Sequence, residues 1–311
     1  MTETRLFFAA DVHGSETTFR KFLAAARYYK PNIVMLSGDI TGKVLVPIVK
    51  ESDGTYSANF LGSNVVAKNE EQLKDLEKNI RLNGQYPFVT SEDEKARLDM
   101  DPKAVDQIFS DTMVAVAKRW TRIAEEKLKD SGVKCLIMPG NDDRFELDSF
   151  LEATDFVVNP EGKVVQIDEF HEMISTGYSN ISPWNCPRDI PEEKLTEKID
   201  TMAAQVRNMK NCIFNFHCPP YDSGLDTAPE LKELKPTGQM VPVGSHAVRR
   251  AIEEYQPMLS LHGHIHESQG FRKIGRTLCL NPGSEYSEGI LRGVVINLSE
   301  DKVRSYLFTR G

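Results

Sequence analysis

RLFFAADVHG (Arg5–Gly14) and, a helix length later, IVMLSGD (Ile33–Asp39) are the stretches from which the fold is read. RLFFAA, Arg5–Ala10, is a short apolar run that gives way to a polar loop at Asp11–Gly14. Ser15 suits the cap of a helix reaching about Tyr29, because Phe19, Phe22, Leu23 and Ala26 fall along one face. Pro31 ends the helical region, and IVMLS, Ile33–Ser37, is a second buried strand. Strand, helix, strand with apolar strands implies an α/β unit whose strands lie between layers.

Further along, the rhythm breaks and then resumes. From about Lys43 to Ser131 the chain predicts a hairpin, Lys43–Val49 with Tyr56–Val66 around Asp53-Gly54, and a charged helix at about Glu70–Asn83. A long helix follows from Pro102 to Lys129, striped by Val105, Ile108, Met113, Val116, Trp120 and Ile123. This segment, about 43–131, reads as an α+β insertion serving as a cap, as a contact between copies in a homo-oligomer, or as decoration. Beyond it come strands at Cys135–Met138, Val164–Ile167, Met173–Thr176, Cys212–Phe216 and Met258–Leu261. Helices are expected at Phe145–Leu151, Glu192–Lys210 and Ala247–Tyr255, and β segments fill Gly270–Phe308.

Composition bounds the function. The chain has 311 residues, is 40% hydrophobic and 27% charged, and so can bury a large core as one domain or two. A net charge of -8 argues against a broad basic surface for long nucleic acid, although metals can reverse the sign inside one cleft. No apolar run approaches the roughly 20 residues that span a bilayer, and Met1–Ala10 leaves no room for a signal peptide. Five cysteines, odd in number and without a C-x-x-C pair, fit reduced thiols, so a cytoplasmic, membrane-free protein is expected.

Five short motifs each stand just after an apolar strand: Asp11-Val12-His13, Gly38-Asp39, Gly140-Asn141-Asp142-Asp143, His217 in FNFHCPP, and Gly263-His264-Ile265-His266. Strand ends carry the ligand loops of α/β proteins. Residues two apart in extended chain face one side, so D-x-H and H-x-H can each present two ligands to one metal environment. Carboxylates and imidazoles suit manganese, iron, zinc, nickel or cobalt. Glycine before Asp39, Asn141 and His264 is expected to let the backbone turn tightly. Each motif alone is weak; a lone Gly-Asp is commonly a turn. Together they take four of seven histidines, which makes chance placement improbable. Because these residues run from Asp11 to His266, one domain, 1–311, is a better reading than two.

The ordered series D-x-H, G-D, G-N-x-D, H and G-H-x-H resembles the calcineurin-like metallophosphoesterase superfamily. LHGHIHES and NPGSEYSEG are similar to strings in its branch of Icc-related predicted phosphoesterases. The resemblance covers nearly all the chain except the insertion. It implies a four-layer α/β/β/α sandwich with two divalent metal ions, manganese foremost, at the strand ends. Asp11, His13 and His266 would hold the first ion, Asn141, His217 and His264 the second, and Asp39 would bridge them. Two cations roughly 3.5–4 Å apart repel, and a shared carboxylate lowers that cost. A metal-bridging hydroxide would then attack phosphorus.

The match departs at Asp142, where members commonly carry a histidine thought to protonate the leaving oxygen. An ionised Asp142 cannot donate a proton and repels a dianionic monoester more than a monoanionic diester, which predicts a preference for diesters. The competing reading makes Asp142 an anchor, with water supplying the proton. Asp143 is expected to orient a ligand, and Arg144 to contact the substrate phosphate. His262 reads as structural, His246 as the cap of the following helix, Cys218 with its prolines as shaping the His217 loop, and Arg249 and Arg250 as a solvated face. His171 carries no signal. The expected activity is hydrolysis of a small phosphodiester or nucleotide. The alternative is a catalytically weak or inactive protein-binding module on the same fold, against which the complete set of seven ligand positions argues.

Overall fold

A computed structural model describes residues 3–311. Met1 and Thr2, which enter the reading of the N-terminus, lie outside the described residues. The fold is a four-layer α/β/β/α sandwich. One six-stranded sheet has the order Lys302–Arg310, Arg292–Ser299, Thr4–Ala9, Ile33–Ser37, Lys134–Met138, Val157–Val158. The other runs Gly270–Ile274, Thr277–Asn281, Leu259–Leu261, Ile213–Phe216, Glu172–Thr176, Val164–Gln166.

The first strand explains why the layers stack. Its side chains alternate between two apolar environments, so both faces must be covered. Leu6 and Phe8 enter the core between the sheets, beside Met35, Ile213, Leu259 and Val294. Phe7 and Ala9 face the outer helices, beside Phe19, Phe22 and Trp120. On the far side, Phe214 and Ile174 pack under Leu195, Ile199 and Val248 of the helices Glu192–Ala203 and His246–Tyr255. The inner strands of both sheets run parallel, so their carboxyl ends share one rim of the sandwich.

The segment read as an insertion has two parts. Leu45–Ser91 forms a four-stranded sheet, Ser63–Ala67, Tyr56–Phe60, Leu45–Lys50, Tyr86–Ser91, with its own core of Ile48, Tyr56, Leu73 and Ile80 under the helix Glu70–Leu82. The long helix Pro102–Leu128 joins insertion and body: Phe109 meets Tyr86 of the insertion at 5.6 Å between ring centroids, while farther along Trp120 stacks on Phe19 of the body at 4.2 Å. It serves as the crossover joining the parallel strands Ile33–Ser37 and Lys134–Met138.

Other differences from the sequence reading have local causes. The stretch Tyr56–Val66 is a hairpin in itself, turning at Leu61 (φ 51°) and Gly62 (φ 74°). Tyr86–Ser91 pairs parallel with Leu45–Lys50, and a hairpin Thr227–Lys232/Lys235–Pro242 was not anticipated. The helix expected to reach Lys210 stops at Ala203, and the Arg207 N–H bonds the Glu172 carboxylate at 2.9 Å. Ser15 stands at the cap position, yet its hydroxyl donates to the Leu82 carbonyl (3.1 Å) and ties the insertion to the first loop. All five cysteines are free thiols. Among the described residues, no helix is long and apolar enough to cross a membrane.

Candidate metal centre

The strand-end loops are fastened to one another by their backbones. Asp11 N–H donates to the Gly38 carbonyl (3.0 Å), His13 N–H to Asp39 (2.9 Å), Gly38 N–H to Met138 (2.9 Å) and Gly263 N–H to His217 (3.0 Å). These bonds bring residues more than 250 positions apart into one cluster, in which His13 Nε2 lies 3.1 Å from His266 Nε2. Four of the clustered residues, Asp11, His13, Asp39 and His264, hold left-handed φ values of 57°, 42°, 49° and 67°. Such backbone costs about 1–2 kcal/mol per residue and persists where surrounding structure enforces it.

The glycines beside them do something other than expected. Gly38 has φ +96°, but Gly140 and Gly263 are not left-handed. Their shared need is clearance: a Cβ at Gly140 would meet Asp39 Oδ1 at 2.3 Å, and one at Gly263 would meet Asp11 Oδ2 at 2.4 Å. The turning is done by the polar residues themselves.

Two ligand groups emerge side by side, Asp11 with His13 and His266, and Asp39 with His217 and His264; the atoms of each lie within 4.8 Å of one another. Asp39 joins the groups, with Oδ2 3.7 Å from His13 Nε2 and Oδ1 3.4 Å from His217 Nε2. Asn141 is 1% exposed; its amide nitrogen donates to Asp189 (2.8 Å), and its buried Oδ1 has no hydrogen-bond partner among the described residues. His217 repeats the pattern: Nδ1 donates to the Ser37 carbonyl at 3.2 Å, and buried Nε2 is left without a hydrogen bond. Buried acceptors left open and aimed at carboxylates fit a cation, as does an imidazole whose second nitrogen is anchored by a carbonyl.

Electrostatics divide the clustered histidines into two kinds, His13 and His264 lowered and His217 and His266 raised. Burial pushes His13 down to about 3 and His264 down to about 4, leaving neutral imidazoles with lone pairs. At His217 burial also lowers the pKa, but the Asp39 and Asp11 carboxylates outweigh it and draw the group up to about 9. Burial would raise Asp39, yet His217 and His13 hold it well below the usual carboxylate range. The paired carboxylates therefore demand positive charge at their midpoint.

The remaining expected site residues divide. Asp142 reaches the rim: its N–H donates to Asp39 Oδ1 (3.0 Å), and Oδ2 lies 3.9 Å from His13 Nδ1 and 2.6 Å from Lys43 Nζ. Asp143 turns away from the cluster. Its carboxylate accepts from the N–H groups of Gly140 (2.7 Å), Ile40 (3.0 Å) and Thr41 (2.9 Å) and from the Thr41 hydroxyl, pinning the Asp39 loop to the Asn141 loop. Arg144 pairs with Asp106 at 2.6 Å and covers the Phe109 ring. His246 does not cap its helix, because Ser245 Oγ accepts from Val248 N–H (3.1 Å) while His246 stacks on Tyr221 at 4.0 Å. His262 has both ring nitrogens engaged, Nδ1 with the Phe216 carbonyl and Nε2 with Ser260. His171 is bound to Asp168, Cys218 to Asn180, and Arg249 and Arg250 to Glu253 and Glu254.

Supporting residues that motif reading missed come from distant segments. Buried Arg188 straps the Asn141 loop by donating to the carbonyls of Asp143 (3.0 Å) and Arg144 (3.2 Å) while paired with Asp148. Asn281 donates to the carbonyls of Gly263 (3.2 Å) and Ile265 (3.1 Å), Ser284 Oγ to that of Asp11 (2.6 Å), and Tyr286 lies against His13 at 4.6 Å between centroids. The last three sit in NPGSEYSEG, whose individual roles no spacing discloses.

Comparison with known proteins places the fold class first. A solved structure of 15% identity superposes over 98% of this chain and 99% of its own with a TM-score of 0.59. The protein TT1561 of Thermus thermophilus, 14% identical, does so over 100% and 99% with a TM-score of 0.52. These likenesses define a shared fold. In sequence, the chain is 32% identical over 152 residues to the uncharacterized protein MJ1162 of Methanocaldococcus jannaschii, a match covering 48% of this chain and 64% of that protein. No family model matches the chain.

Proposed function

We propose that this protein is a metal-dependent phosphoesterase with a dinuclear site, acting on a small phosphodiester or nucleotide. The observation that carries the reading is the convergence of seven motif residues on one buried cluster in which Asn141 Oδ1 and His217 Nε2 have no hydrogen-bond partner among the described residues. Asp11, His13 and His266 are the proposed ligands of one ion, Asn141, His217 and His264 of the other, and Asp39 of both. Bound divalent ions, manganese foremost, would supply Lewis acidity and an acidified water for attack on phosphorus. The chain's own part is positional. Ser37 and Asp189 aim His217 and Asn141, Asp143 locks two ligand loops together, and Arg188 stiffens the second of them.

Asp142, held at the rim in place of a proton-donating histidine, supports a preference for diesters or good leaving groups over alkyl monoesters. The cytosol is the proposed compartment. The test is the metal content of the purified protein, followed by hydrolysis of a chromogenic phosphodiester and its matching monoester with added Mn²⁺. Two ions per chain with diester turnover abolished by Asp39→Ala is the expected result. Protein that binds no metal, or binds it without hydrolysis, would move the reading to a protein-binding module; equal kcat/KM on both esters would remove the diester preference.

A further inference from the structure

We propose that Lys43, at the root of the insertion, is the cation that anchors a phosphoryl oxygen of the substrate; this rests on the phosphoesterase reading above. Three carboxylates, Asp11, Asp39 and Asp142, border the cluster, and Asp142 is the most exposed of the three. Left alone, that carboxylate would repel the substrate. Lys43 Nζ lies 2.6 Å from Asp142 Oδ2 and offsets part of that repulsion. An ammonium carries three N–H donors, and among the described residues Asp142 is the one partner recorded for this one. The side chain is 48% exposed, so a molecule arriving from solvent can reach it.

The insertion holds this lysine in place from behind. Gly42 N–H donates to the buried Tyr86 hydroxyl at 2.7 Å. At Gly42 a Cβ would meet the Gly84 carbonyl at 2.2 Å, and at Gly84 one would meet the His13 carbonyl at 2.1 Å. The backbone leading to Lys43, the strand beginning at Tyr86 and the His13 loop are thus packed without slack. The insertion therefore contributes a substrate contact, and the ammonium of Lys43, held by Asp142, brings its N–H donors to the position where a proton-donating histidine is expected. Such a charge stabilises negative charge on a non-bridging or leaving oxygen without delivering a proton.

The test is a double-mutant cycle on metal-loaded protein, using Lys43→Met, Lys43→Arg, Asp142→Asn and Lys43→Met with Asp142→Asn. Metal content is measured for each, with calorimetric binding of inorganic phosphate and KM and kcat on the chromogenic diester. We expect unchanged metal content, phosphate binding weakened about ten- to a hundredfold by Lys43→Met as for a lost charge-assisted hydrogen bond, and most of it retained by Lys43→Arg. The same fold-loss is expected for Lys43→Met in the Asp142→Asn background. If Lys43→Met binds phosphate as wild type does, or loses nothing once Asp142 is neutralised, Lys43 merely balances Asp142 and the proposal fails. Loss of metal in Lys43→Met would also overturn it, by making Lys43 part of the metal site. Wild-type protein that neither binds phosphate nor turns over any ester would instead refute the phosphoesterase reading itself.

Discussion

Gly38→Ala should damage the proposed second ion site while leaving the proposed first one nearly intact. Gly38 has φ +96°, and a Cβ there would lie 2.0 Å from Nδ1 and 2.6 Å from Cε1 of His217. Neither party can yield cheaply, since Gly38 N–H is bonded to Met138 and His217 is fully enclosed. A left-handed backbone costs an alanine about 1–2 kcal/mol. Pushing His217 off the Ser37 carbonyl forfeits a hydrogen bond worth about 1 kcal/mol and strands a buried acceptor. The total is about 2–4 kcal/mol, which in a chain of this size lowers the melting temperature by about 3–6 °C. Calorimetric melting of metal-free protein measures that loss without reference to function. Metal analysis of the loaded variant should then find one of the two ions missing. A Gly38→Ala protein that melts with wild type and keeps both ions would refute the close-approach argument and the assignment of His217.

Two further consequences concern positioning and packing. Asp189→Ala frees the Asn141 amide to rotate, and should weaken the second ion about ten- to a hundredfold in a metal titration; equal affinity would mean that the Asn141 orientation is set by other contacts. Trp120→Ala removes a buried ring stacked on Phe19 and should cost about 3–5 kcal/mol across one cooperative transition. A separate early transition would show that the helix Pro102–Leu128 melts with the insertion instead of the body.

How much was legible in the sequence follows from how each signal is encoded. The strands Ile33–Ser37 and Ile213–Phe216 are short apolar runs ending in a polar motif, and that pattern is local, so the α/β rhythm and the position of each ligand at a strand end can be read directly. The long helix is legible as a helix within the insertion segment, but its packing partners are not. Its stripe states that one face is buried, not what buries it, and Phe19 lies far away in the chain. For Arg144, adjacency to Asn141 does not specify the side on which the side chain leaves, and the pairing with Asp106 comes only from the fold.

The proposed ligand set is written along the chain, because metal-binding chemistry requires particular side chains and their order follows the order of the strands. Which groups support those ligands emerged only on folding. Asp189, Arg188, Asn281 and Lys43 act through single hydrogen bonds or ion pairs to residues many positions away. Such contacts leave no periodicity, since they depend on where two loops meet in space rather than on any repeat along the backbone.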